Sequence, residues 1–262
     1  MSNQLKSIAI AGALAASFLT PIAANAASIV GLIDGKTLVM IDPASKKVTA
    51  TVALKGTPGL LGIDVRPADG MLYGYSTDGN IVTIDPKSGQ TTMKSKLSEA
   101  VKAGVVVTVD FNPVADRLRV MGSDGTSHRI NVDDGKVTVD GSHKFKDGDA
   151  NAGKTPKVIA GAYSNSFKGT TATALYNVDA TTGVLVTQAP PNDGVLNTIG
   201  ALGMKVDGPV AFNVVSASAD KNDAWLAAGG NLYSVDLKTG KATMAGKLSG
   251  VSGKLTDIAW MD

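Results

Sequence analysis

The chain has 262 residues, 25 basic and 23 acidic, with two histidines and no cysteine. So even a balance supplies no long-range field for nucleic acid or an anionic membrane, and neither is expected as a partner. Without cysteine there is no disulfide, thiolate metal site, lipid-modified cysteine or cysteine nucleophile, and stability must come from packing.

The N-terminus reads as a secretory signal. Lys6 gives a charged start, a largely apolar run extends from Ser7 to Ala24, and Ala24-Asn25-Ala26 closes it with small residues. Pro21 interrupts the run and no basic cluster follows, which argues against a membrane anchor. The expectation is a signal peptide over 1–26 and one exported domain over 27–262, periplasmic or extracellular, monomeric and not inserted in a membrane.

Past Ala26 a turn recurs. Ile41-Asp42-Pro43-Ala44-Ser45-Lys46 is echoed by Ile84-Asp85-Pro86-Lys87-Ser88-Gly89. Looser copies begin at Asp133, Asp179 and Asp236, giving spacings of 43, 48, 46 and 57 residues. Aspartate accepts nearby backbone N–H groups, proline presets the first turn dihedral, and glycine takes the left-handed closing position. Lys46 stands where glycine is expected, at a cost of about 1 kcal/mol. Strands flank each turn, and their apolar residues fall on both faces, as in Leu38-Val39-Met40-Ile41.

A second element repeats as Leu61-Gly62-Ile63-Asp64-Val65-Arg66-Pro67 and Val107-Thr108-Val109-Asp110-Phe111-Asn112-Pro113, with looser copies at 158–165, 210–215 and 255–261. Periods of this length belong to propeller blades. The fold class is therefore all-β: a β-propeller of five blades, each of four antiparallel strands, closed by pairing of the N- and C-terminal strands. Six blades, the extra one around 190–206, or a β-sandwich are the alternatives.

In such a ring the links from each outer strand to the next inner strand share one face, and the Asp-Pro-type turns share the other. The two longest links, 141–156 and 188–208, fall in the first group, which makes that face the candidate site. Within the first, Asp147, Asp149 and Asn151 offer oxygens at alternate positions, the pattern of a partial calcium loop completed from elsewhere. Within the second, Asn192, Asp193 and Asn197 are candidate ligand contacts. Asp64, Asp110, Asn213 and Asp257 stand at matching places in the inner strands, where they form a polar ring or tie those strands to their neighbours. His128 and His143 lie in unrelated contexts, and no Gly-x-Ser-x-Gly elbow or phosphate loop is present. Glu99 is the sole glutamate and falls between two blades.

Several segments resemble a secreted bacterial family catalogued as domain of unknown function 4394. They are Gly62 to Pro67 with Leu72-Tyr73, Asp110 to Val120, Gly148 to Gly153, Ala162 to Phe167, Leu185 to Gln188, and Pro190 to Gly203. The resemblance implies a propeller-like fold and an extracytoplasmic protein, and it transfers no activity. Three functions are compatible: a propeller that binds a small molecule, glycan or protein, a calcium-dependent hydrolase of lactonase or esterase type, or a structural component of an envelope or matrix.

Overall fold

The computed structural model describes residues 27–219 and 221–261, so the signal-peptide reading of 1–26 lies outside the described residues. In chain order, β1 (Ser28–Ile33), β2 (Thr37–Asp42) and β3 (Lys47–Ala53) are followed by the blade β4 (Leu60–Val65), β5 (Leu72–Ser76), β6 (Asn80–Ile84) and β7 (Thr91–Lys96). The next blade is β8 (Val107–Asn112), β9 (Arg117–Gly122), β10 (Ser127–Ile130) and β11 (Val137–Val139). After a short β12 (Lys144–Phe145) come β13 (Val158–Tyr163), β14 (Leu175–Asp179), β15 (Val184–Gln188) and β16 (Val195–Ala201). The last blade is β17 (Val210–Ser218), β18 (Lys221–Ala228), β19 (Asn231–Val235) and β20 (Ala242–Lys247), and β21 (Leu255–Met261) ends the chain.

These strands form five sheets in the order β21-β1-β2-β3, β4-β5-β6-β7, β8-β9-β10-β11, β13-β14-β15-β16-β12 and β17-β18-β19-β20. The inner strands β4, β8, β13, β17 and β21 neighbour one another in that order, and β21 closes against β4. The molecule is a five-bladed propeller whose first blade takes its innermost strand from the end of the chain. Ser28 pairs with Met261 and Val30 with Ala259, so closure consists of strand pairing within one sheet. Among the described residues, no helix is long and apolar enough to cross a membrane.

The turns show why the chain folds at these points. Asp85 Oδ1 accepts the N–H of Lys87 at 2.9 Å, and Gly89, at φ +71°, donates its N–H to the Asp85 carbonyl at 2.8 Å. Lys46 occupies the same left-handed position at φ +60°, and its N–H reaches the Asp42 carbonyl at 2.7 Å. Between turns, β5 and β13 are buried at every residue because a blade packs on each side of them, whereas the outer strands β3, β7 and β20 expose many of theirs. Tyr73, Tyr75, Val109 and Phe111 fill the seam between the second and third blades.

The blade containing β13 to β16 departs from the repeat. The Asp179 turn joins β14 to β15, one hairpin earlier than the Asp42, Asp85, Asp133 and Asp236 turns, and so lies on the opposite face. The expected link 188–208 is also resolved into parts. It holds the end of β15, a 3-10 turn at Pro191–Asp193 and the whole outer strand β16, leaving only the stretch after Ala201 as the link to β17. The other long link, 141–156, runs back along this outer edge, where β12 pairs in parallel with β16. Neither feature carries a local signal: the turn chemistry is the same in either hairpin, and a two-residue strand has no period.

Candidate functional site

The inner strands place three carboxyls around the axis, and each reaches across a seam. Asp257 Oδ2 accepts the N–H of Ile63 at 2.9 Å, Asp64 Oδ2 that of Phe111 at 2.7 Å, and Asp110 Oδ1 that of Tyr163 at 2.8 Å. Gly62 lets this happen, since a Cβ there would stand 2.8 Å from Asp257 Oδ2 and from Val109 Cγ2. Burial pushes Asp64 up to about 7 against the pull of the Phe111 N–H. Burial also holds Asp110 well above the usual carboxylate range, reinforced by the charge of Asp64, and it raises Asp257 in the same way. The polar ring read from the sequence is thus first a set of ties between blades. Asn213, at the matching place on β17, is buried as well.

The axis opens at both ends. Where the inner strands begin, on the face of the outer-to-inner links, lies a cavity of 840 Å³. Its walls are aliphatic, with Leu60, Leu61, Val106, Ile159, Val206 and Val210 among them, while Asp34, Thr77, Lys157 and Thr256 bring polar groups to it. Where the inner strands end lies a mouth of 330 Å³ lined by Asp64, Asn213, Ser166, Phe167, Lys168 and Trp260, among others.

The loop residues singled out from sequence lie elsewhere. Asp149 is bound on both oxygens at the outer edge of its blade: Oδ2 accepts the N–H of Thr198 at 2.7 Å, and Oδ1 accepts Thr198 Oγ1 at 2.6 Å and the N–H of Asn151 at 2.8 Å. The Thr198 and Asn151 bonds hold its carboxylate below the ordinary range against the effect of burial. Asn151 Oδ1 takes the Lys154 ammonium at 2.9 Å, the atom a calcium ion would need. Asp147 is exposed. Among the described residues, no group of three or more His, Asp or Glu is placed to hold a metal ion.

Asn197 donates its amide to the Ala189 carbonyl at 3.1 Å, and Asp193 is exposed in the 3-10 turn. Asn192 Oδ1 accepts from Arg119 Nη2 at 2.7 Å. That guanidinium is almost wholly buried and also bonds Tyr163 Oη, Ser127 Oγ and Asp140 Oδ2, locking two blades together. The six residues therefore do not converge on the channel. The linings were missed because they are assembled from separate inner strands, all five at the larger cavity and β4, β17 and β21 at the smaller mouth. The available signal was the alignment of those strands, whose first residues are all apolar or threonine-bearing.

Both histidines are buried. His143 has neither ring nitrogen paired, and burial followed by the Arg119 charge pushes it down to about 4. His128 Nε2 lies 4.0 Å from Glu99, which is exposed in the link between β7 and β8.

A family model described as "Domain of unknown function (DUF4394)" matches residues 27–259. Among curated proteins none matches the chain. Of solved structures, a protein of unknown function from Bacteroides thetaiotaomicron VPI-5482 superposes with a TM-score of 0.56 at 15% identity, over 88% of this chain and 61% of that one. Another protein of unknown function, from Bacteroides caccae, gives a TM-score of 0.43 at 15% identity, over 86% and 73%. At this identity the first likeness concerns the fold alone.

Proposed function

Given that this chain belongs to the DUF4394 family, we propose that it is an exported, non-enzymatic propeller that binds a largely apolar small molecule in the axial cavity of its link face. The observation that carries this reading is the 840 Å³ cavity itself, within the size of sites for small ligands and walled mainly by aliphatic side chains. Val106 is half exposed beside the buried Leu60, Val107 and Val210, so apolar area is offered to the cavity at a cost that a ligand would relieve. Lys157, Asp34 and Thr256 supply opposite charges and a hydroxyl that would orient such a ligand. Of the two long links marked in the sequence, only Val206 to Gly208 at the end of the second reaches this cavity.

The test is titration of the purified protein with the neutral fluorophore N-phenyl-1-naphthylamine. Saturable binding is expected, at least tenfold weaker in Val106→Arg and Val206→Arg, which charge the walls from partly exposed positions. Equal affinity in both variants would refute the reading. Export is tested separately: mass spectrometry of periplasmic and medium fractions should find a chain beginning at Ala27.

A further inference from the structure

The smaller mouth, at the far end of the axis from that cavity, has the features of a second and chemically different site. Its floor carries Asp64 and Asn213, and the rings of Phe167 and Trp260 are half-buried in its lining. Asn213 is 8% exposed, and its amide makes no hydrogen bond among the described residues. Its polar atoms keep contact with solvent, so from the lining of the mouth the amide can bond an occupant.

The site is also held in shape. The loop bearing Ser166 to Lys168 is clamped onto β17 and β18: the Asn165 N–H donates to Asn222 Oδ1 at 2.7 Å, Asn222 Nδ2 to Asn165 Oδ1 at 2.9 Å, and the Ser166 N–H to Ser216 Oγ at 2.9 Å. Asn165 keeps φ +52° within this network, a conformation tolerated where surroundings fix it.

Charge selects the occupant. Asp64 faces the mouth, and Asp110 and Asp257 stand behind it on the adjoining inner strands, each acting on Asp64 or acted on by it. Above about pH 7 the ionised Asp64 alone disfavours an anion there, since burial keeps Asp110 and Asp257 protonated. Lys168 is the one cation in the lining and is exposed to solvent, while nearby Arg66 is already engaged by Asp116, Asp69 and Asp133. Carboxyl, amide oxygen and two aromatic side chains together suit a cation with alkyl substituents.

We propose that this mouth binds a small organic ammonium ion, its charge directed to Asp64 and the Asn213 amide oxygen and its alkyl groups against Trp260 and Phe167. The volume of 330 Å³ has room for such an ion. Because an ammonium favours the ionised carboxyl, and Asp64 lies near 7, affinity falls as pH drops from 8 to 6 and binding releases protons.

Calorimetric titration with choline, and in parallel with its uncharged isostere 3,3-dimethylbutan-1-ol and with glucose, tests the proposal. The expected result is saturable choline binding, at least tenfold weaker binding of the isostere, none of glucose, and at least tenfold loss in Asp64→Asn and Asn213→Leu, with folding checked by circular dichroism. If Asp64→Asn does not fold, the comparison of choline with its isostere on the unaltered protein, together with Asn213→Leu, decides. Equal binding of charged and neutral probes, binding of glucose alone, no binding of choline, or unchanged affinity in folded variants would overturn it. Fluorophore binding at the other mouth is read independently, so either site can fail alone.

Discussion

The carboxyl of Asp257 accepts the backbone N–H of Ile63 at 2.9 Å, joining residues 194 positions apart and fastening the last strand to the blade that begins with β4. Asp257→Ala leaves that buried N–H unsatisfied and is expected to cost about 1–3 kcal/mol. Asp257→Asn keeps one accepting oxygen for the two buried N–H groups of Ile63 and Ile258, so it is expected to recover only part of that loss. Urea unfolding of the two variants checks the order.

The axial carboxyls set the sign of the pH dependence. Asp64 rises from the ordinary 3.8 to about 7, and Asp110 and Asp257 rise well above 3.8, so the folded state binds protons that the unfolded state has lost. Their contribution is full below 3.8 and is lost as pH rises through the folded values. His143 acts oppositely: lowered to about 4 from 6.5, it supports the fold above 6.5 and ceases to do so as pH falls toward 4. Between pH 6.5 and 8.5 the carboxyls act without that opposition. The melting temperature should fall across this window, and the slope should flatten in Asp64→Asn.

Arg119 joins four groups from two blades with a guanidinium only 1% exposed. Arg119→Met leaves the buried Asp140 with Arg129 alone and strips Tyr163 and Asn192 of their donor. A loss of about 3–5 kcal/mol is expected. Arg119→Lys should recover little, because a single ammonium cannot match the planar fork. Chemical denaturation measures both.

Lys46 is strained where its counterparts Gly89, Gly135 and Gly240 are not. Lys46→Gly should stabilise by about 0.5–1 kcal/mol, the left-handed penalty less the entropy of a new glycine. The converse change Gly89→Ala should cost more than about 2 kcal/mol, combining that strain with a Cβ 2.1 Å from the Ala53 carbonyl oxygen. Thermal melts of the pair give the comparison.

What the sequence revealed is what local chemistry encodes. Asp42, Asp85 and Asp236 each build their own turn, so blade period, strand order and the closing role of Leu255 to Met261 could be read directly; in the third blade Asn131 builds the turn, two residues before the aspartate the pattern picked out, and Asp133 pairs with Arg66 and Lys94. Asp179 uses the same chemistry in the wrong hairpin, and nothing within five residues of it says so. Arg119 is the opposite case. Flanked by Leu118 and Val120 it has no local signature, since its partners arrive from positions 127, 140, 163 and 192. The axial cavities are further still from local rules, because inner strands distant in sequence contribute to each, all five to the larger one.

The pairing of β1 with β21 has a consequence for concentrated solutions. Every bond between β1 and β21 joins the two ends of one chain, yet nothing in the pairing requires that both belong to the same molecule. A second molecule's terminal strand satisfies the same acceptors, donors and buried side chains, so exchange leaves the contacts unchanged and is opposed only by the high local concentration of a chain's own end. Refolding when molecules are crowded should therefore divert material into swapped dimers that open and reclose slowly, whereas dilution returns each ring to its own final strand.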